Sequence, residues 1–280
     1  MTSDILKARL QYILPKRALT DFAGCLANVE IPAIKNYLIR DFIGKYNVNM
    51  SEALVESIDD YASFNEFFIR HLKPGSRPIS DATVVSPVDG IVSEIGAISS
   101  GRLIQAKGHD YTVKELLATD AMTSAQFDNG LFATLYLSPK DYHRVHMPIE
   151  ATLRDMIYVP GKLFSVRPAT ALVIPKLFSQ NERLVVFFDT SLGLMAMVLV
   201  GATIVGAIGT SWHGDIRRGS RKQRFVYSEN MNIVLQKAAE MGYFKLGSTV
   251  IVLLADGHRV TWKPELKAGS LIRLGDALAF

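Results

Sequence analysis

The sequence predicts an α+β protein, with a helical N-terminal region over residues 1–75 followed by a β-rich domain over 76–280. Three observations carry this prediction. Apolar residues recur at helical spacing through about the first 70 positions. The string Lys73-Pro74-Gly75-Ser76-Arg77-Pro78 then breaks that pattern. From about residue 80 onward, short Val, Ile, Leu and Phe runs alternate with Gly, Pro, Asn and Asp, the texture of strands and turns. With 280 residues, 49% hydrophobic and 21% charged, the chain can bury a large core, and disorder is excluded.

The first helix is predicted from Ile5, Leu6, Leu10, Ile13 and Leu14, with Lys7, Arg9, Lys16 and Arg17 among or beside them. The second covers 31–46 and mixes Ile34, Tyr37, Leu38, Phe42 and Ile43 with Lys35, Arg40 and Lys45. The third covers 61–71 and carries Phe64, Phe67, Phe68 and Ile69, a core pattern. Basic amphipathic helices either lie in a membrane interface or pack on the body of the protein, and both readings stand at this point.

Strands are predicted at 83–88, 90–97, 131–138, 184–189, 194–208, 249–254 and 271–273. A helix is predicted at 113–117 and a short helical stretch around 175–181. Residues 86–90 and 241–245 read as turns that lead into strands. Residues 213–224, with His213, Arg217, Arg218, Arg221 and Lys222, read as a basic loop able to touch lipid head groups.

Several classes drop out. Residues 190–212 are uncharged and long enough to span a bilayer, but Gly193, Gly201, Gly206 and Gly209 and a β-branched core predict two buried strands instead. The stretch 5–14 is interrupted by Lys7, Arg9 and Gln11, so it has no secretory apolar segment. The single cysteine, Cys25, rules out an internal disulfide and a Cys-rich zinc site. A net charge of +4 suits an anionic membrane or nucleic acid, and many plain soluble enzymes too. No phosphate-binding Gly loop, His-Glu-x-x-His helix or Gly-x-Ser-x-Gly elbow is present.

Three local features could do chemistry. Asp141-Tyr142-His143-Arg144-Val145-His146-Met147-Pro148 holds two histidines three apart, which face opposite sides of a strand or share one side of a helical turn. Alone, such a pair is most simply two ordinary loop histidines. Asp89 precedes Gly90 and alone reads as a local turn residue. Gly247-Ser248-Thr249 alone reads as a loop before a strand, but a glycine leaves its carbonyl sterically open to a neighbouring hydroxyl. An Asp, a His and a Ser in one β-rich region permit a nucleophilic triad, and spacing alone cannot bring them together.

Longer strings add a resemblance. Asp141–Pro148, Met156-Ile-Tyr-Val-Pro-Gly-Lys-Leu-Phe-Ser-Val166 and Phe244-Lys-Leu-Gly-Ser-Thr249 resemble phosphatidylserine decarboxylase proenzymes of the bacterial and mitochondrial type. So do Leu10–Pro15, Phe64–Arg70, Ser86–Gly90, Leu103–Gly108 and Leu199–Val205, nearly end to end. Arg167 departs from the pattern, standing where Asn is frequent in the family.

The resemblance implies self-cleavage between Gly247 and Ser248, giving chains 1–247 and 248–280 that stay associated. It implies catalytic roles for Asp89, His146 and Ser248 in the cut, and for His143 in decarboxylation or protonation. Ser248 becomes a pyruvoyl group that forms a Schiff base with phosphatidylserine, so neither metal nor pyridoxal phosphate is expected. Substrate contacts are expected at Tyr158, Phe164 and Ser165. The resemblance also favours N-terminal helices on a membrane surface, at the cytoplasmic face of the cell membrane. It allows a homodimer and gives no nucleic-acid partner. The rivals are a Ser-His-Asp or metal hydrolase that stays uncut, and a membrane-binding module without activity.

Overall fold

In the computed structural model, residues 11–12, 15–106, 108–203, 207–227, 232–245 and 248–280 are described. Apart from Gln11 and Tyr12, which form a turn, the predicted first helix lies outside the described residues. Leu246 and Gly247 also lie outside them.

The N-terminal helices run over Lys16–Ala27 and Pro32–Tyr46. Pro32 suits the first turn of the second helix, and Asn47, at φ 52°, closes it in the left-handed region. Residues 47–63 are not helical, contrary to the expectation, except for one 3-10 turn at Ile58–Asp60. The third helix shrinks to Phe64–Phe68, capped by the Ser63 hydroxyl on the Glu66 N–H. Its phenylalanines reflect burial rather than helix length. Phe64, Phe67 and Phe68 pack with Ile39, Tyr61 and Val48 into a small core of their own.

Lys35 of the second helix is not one of its surface charges. It is 5% exposed, and its Nζ donates to Asn36 Oδ1 (2.7 Å) and to the carbonyls of Ile58 (3.3 Å) and Asp59 (3.1 Å). It therefore ties the helix to the following loop and does not face a lipid surface.

The body is built on one antiparallel sheet, which has nine strands among the described residues. Across it run Gln223–Val226, Ala151–Val159, Arg183–Thr190, Gly193–Val200, Ser248–Leu254, Leu131–Leu137, Gly90–Ala97 and Leu271–Ile272. Val234–Leu235 also pairs with Ala151–Val159. Ser248–Leu254 is buried throughout, and alternate residues serve two cores: Val250, Val252 and Leu254 on one face, Ile251 and Leu253 on the other. Ser248 opens that strand opposite Leu137.

A smaller sheet orders Gly214–Asp215, Ala207–Thr210, Glu240–Lys245 and Arg144–His146. Residues 241–245, expected as a turn, are therefore strand. Gly242 is there because a Cβ would sit 2.2 Å from the Gly209 carbonyl oxygen, so this glycine serves close backbone approach. The uncharged stretch 190–212 does hold two strands, but they belong to different sheets. No helix among the described residues is long and apolar enough to cross a membrane.

Candidate active site

The turn before Gly90–Ala97 places Asp89. Ser86 Oγ donates to the Val88 carbonyl (2.7 Å), and Gly90 lets the strand press against Leu131–Leu137, since a Cβ there would meet the Tyr136 oxygen at 2.3 Å. Asp89 is 7% exposed and is held from a distance in sequence, not by its own turn. It accepts from the Leu274 N–H (2.9 Å) and from Arg77 Nε (2.9 and 3.1 Å) and Nη2 (2.5 Å). Arg77 also donates to Glu52 (2.8 Å). These two carboxylates hold the Arg77 guanidinium firmly charged, against the cost of its burial.

Of the two histidines, His146 ends the strand Arg144–His146 and His143 lies just before it. His146, in Arg144–His146, has Nδ1 2.8 Å from the Ala238 carbonyl, so that nitrogen carries the proton. Its Nε2 lies 3.3 Å from Tyr142 Oη, which donates to it. Burial pushes the His146 pKa below the usual value, while the Ala238 carbonyl and the charges of Glu240 and Asp89 push back.

His143 is fully buried and stacks on Phe68 at 4.2 Å between ring centroids. Its Nδ1 donates to the Asp141 carbonyl (2.8 Å), and the Asp141 carboxylate in turn accepts from Ser138 N and Oγ, both at 2.7 Å. Burial lowers the His143 pKa to about 3, with Arg70 adding to the effect. The ring is neutral, and its Nε2 has no partner among the described residues.

Ser248 is also fully buried, and its Oγ has no partner among the described residues. It lines a cavity of about 640 Å³ together with Phe68, Tyr136, Ser165, Arg167 and Thr203, roofed by Ala23, Leu38, Phe42 and Tyr46 of the N-terminal helices. Phe68 thus touches both the His143 ring and the space that Ser248 faces. Asp89, His146 and Ser248 make no hydrogen bond to one another. Asp89 and His146 are coupled by charge.

The three expected substrate contacts divide. Ser165 lines the cavity. Phe164 is fully buried behind it, against Tyr12 and the ammonium groups of Lys16 and Lys162. Tyr158 is 2% exposed and does not line this cavity. Its Oη accepts from the Gly219 N–H (3.0 Å) and donates to Glu182 (3.1 Å), and burial pushes its pKa up to about 12. It anchors the basic loop, whose Arg218 bridges Glu182 (3.0 Å) and Asp21 of the first helix (3.0 Å).

Asn181 positions the cavity wall and escaped the sequence reading. Fully buried, it accepts from the Phe164 N–H (3.1 Å) and donates to the carbonyls of Phe164 (2.8 Å) and Gly201 (2.9 Å). One side chain so fixes both 163–167 and 201–203. Its signal, a lone Asn beside a strand, is indistinguishable from a surface turn. Arg77 was equally hidden inside a helix-breaking string.

No group of three or more His, Cys, Asp or Glu among the described residues could hold a metal ion. What the site presents is a buried nucleophile without an acceptor and two neutral histidines, the equipment of an enzyme centred on a serine. A family model described as phosphatidylserine decarboxylase matches residues 64–280, and a second, described as PSD, matches 6–47. The chain is 58% identical over 280 residues to a phosphatidylserine decarboxylase proenzyme of Legionella pneumophila (strain Corby), covering 100% of this chain and 99% of that one. It is 50% identical over 273 residues to the protein of that name from Polaromonas sp. (strain JS666), covering 96% of each. With the one from Yersinia enterocolitica it shares 49% over 283 residues, covering 99% of this chain and 96% of that one. The chain belongs to the phosphatidylserine decarboxylase family.

Proposed function

We propose that this chain is a precursor that cuts itself between Gly247 and Ser248, and that the processed protein converts phosphatidylserine to phosphatidylethanolamine and carbon dioxide. The observation that carries the reading is Ser248: a fully buried hydroxyl with no described partner, at the head of a core strand and on the wall of a large cavity.

In the cut, His146 takes the Ser248 proton and the oxygen adds to the Gly247 carbonyl, turning the amide into an ester. Loss of the Ser248 α-proton expels the Gly247 carboxylate. The dehydroalanine end then hydrolyses with loss of ammonia and leaves pyruvoyl. Asp89 supports His146 through its negative field. The site fits the group, because conversion of Ser248 abandons no hydrogen bond among the described residues. A pyruvoyl group supplies a ketone for the substrate amine and an electron sink for the breaking bond to the carboxylate.

The protein's own residues do the rest. Burial keeps the His143 ring neutral beside the site, with the lone pair of Nε2 unengaged among the described residues and available for a hydrogen bond. The piece 248–280 stays bound after the cut because its strand 248–254 lies between 131–137 and 193–200. The apolar roof accommodates acyl chains, and Phe22 (71% exposed), Tyr37 (69%) and Ile31 (56%) on or beside the same helices offer apolar contact with a bilayer. Peripheral attachment at the cytoplasmic face of the cell membrane is part of this reading.

A second division of roles is favoured by one observation: His143 has the free ring nitrogen, while Tyr142 covers that of His146. In that version His143 is the base for the cut. Intact mass decides both questions. Ser248→Ala should remain a single 30.9 kDa chain without carbon dioxide release from phosphatidylserine vesicles. If Ser248→Ala is cut like the parent, self-processing at this serine is wrong. If His143→Ala fails to cut while His146→Ala cuts, the second division replaces the first.

A further inference from the structure

Beside the serine cavity lies a second one of about 280 Å³, and Arg70 lines it. Arg70 is 5% exposed, and its Nε and Nη1 have no hydrogen-bond partner among the described residues. Its remaining nitrogen, Nη2, makes one long contact to the Lys140 carbonyl (3.4 Å). The guanidinium lies over the Phe67 ring at 5.2 Å. A buried charged donor without an acceptor is costly, so two on one side chain call for an anion.

The cavity's own carboxylates do not serve. Asp89 and Glu52 are committed to Arg77, and Asp141 to Ser138. The walls also carry Lys140 and Arg273, both exposed, so four cations face three carboxylates. The volume is below that of drug-sized ligand sites and suits a small tetrahedral oxyanion.

We infer that this cavity binds a phosphoryl oxyanion, with Arg70 as its buried anchor and Lys140 and Arg273 at its rim. A guanidinium presents parallel N–H donors from Nη2 together with either Nε or Nη1, so an oxyanion that meets one of the two unpartnered nitrogens of Arg70 can also take a donor from Nη2, whose contact to Lys140 is long. The anion is either a lipid head-group phosphate or free phosphate. The site abuts the serine cavity: Phe68 lies two residues from Arg70 and stacks on His143, and Pro139 of the serine cavity adjoins Lys140. An anion here would offset the positive charge that Arg70 sets beside His143.

The test is binding, not turnover, so it is independent of the decarboxylase reading. The full chain is titrated with inorganic phosphate, and separately with glycerophosphoserine, against chloride at matched ionic strength, by thermal shift and calorimetry. Either phosphoryl compound should bind and raise the melting temperature above the chloride control. Inorganic phosphate binding identifies a free-anion site, and glycerophosphoserine alone identifies the head group as the source. Arg70→Met should weaken binding at least tenfold. Should that variant fail to fold, the rim double variant Lys140→Ala/Arg273→Ala should weaken it severalfold. No binding of either compound, or unchanged affinity in whichever of these variants folds, overturns the inference.

Discussion

His143 makes the stability of this protein depend on pH in a calculable way. The folded ring is fully enclosed and its pKa falls from 6.5 to about 3 because burial disfavours the charged form. The unfolded chain therefore takes up a proton near pH 6.5 that the folded chain refuses until about pH 3. Between those limits the unfolded state binds more protons, so stability falls as pH falls and is restored above pH 6.5. Across the whole window the group is worth about 5 kcal/mol, and between pH 7 and 4.5 about 2.5 kcal/mol. His143→Asn removes the titration while leaving an amide donor for the Asp141 carbonyl. The assay is urea unfolding followed by the fluorescence of Trp212 and Trp262, in a Ser248→Ala background so that one chain is measured throughout. His146 and His71 are shifted in the same direction, so both proteins lose stability in acid. The parent should lose about 2.5 kcal/mol more than the His143→Asn protein between pH 7 and 4.5. Curves that run parallel to within about 0.5 kcal/mol over that range would refute a neutral, desolvated His143.

Two more predictions concern how the site is held. Asn181→Ala should cost at least about 3 kcal/mol, since three backbone groups lose their partner at about 1 kcal/mol or more each. Asn181→Asp should cost still more by setting a carboxylate against two carbonyls, and a midpoint in urea equal to the parent's for either variant would show that the cavity wall does not depend on this residue. Gly90→Ala places a methyl group 2.3 Å from the Tyr136 oxygen and should both destabilise the sheet and slow the cut, read by intact mass over time. An unchanged time course would mean that the seat of Asp89 is immaterial to processing.

Most of the strands legible in the sequence are buried along most of their length, while Gly90–Ala97, also legible, is half-buried. Leu131–Leu137, Arg183–Thr190, Gly193–Val200 and Ser248–Leu254 are continuous apolar runs because helices and the second sheet cover them. Ala151–Val159 was missed although it is the longest strand described. Its pattern is broken by Arg154 and Asp155 at a register shift, and the buried Asp155 pairs with Arg224, far along the chain (2.6 Å). Helix length was overestimated for the opposite reason. The aromatic run 61–71 is apolar because Phe64, Phe67 and Phe68 fill a core, and a short capped turn suffices to place them.

The site was legible as strings and illegible as contacts. Asp89, His143, His146 and Ser248 stand in short strings that the sequence singles out, and their roles came from the resemblance rather than from the strings alone. What each one touches depends on segments the sequence cannot bring together: Arg77 and Leu274 for Asp89, Ala238 for His146, Phe68 for His143. This bears on how a precursor can exist at all. A serine already bonded to a free base would be poised to cut as soon as it folded. Here Arg77 occupies Asp89 and Tyr142 covers the His146 lone pair, while the Ser248 hydroxyl has no acceptor among the described residues. Cutting then requires either that His146 exchange Tyr142 for Ser248 or that His143 supply its free nitrogen. Tyr142→Phe separates these routes: it frees His146 and should speed the cut if His146 is the base, and should leave the rate unchanged if His143 is. An intact-mass time course on the purified precursor reads the difference, and a Tyr142→Phe protein that no longer cuts would exclude both.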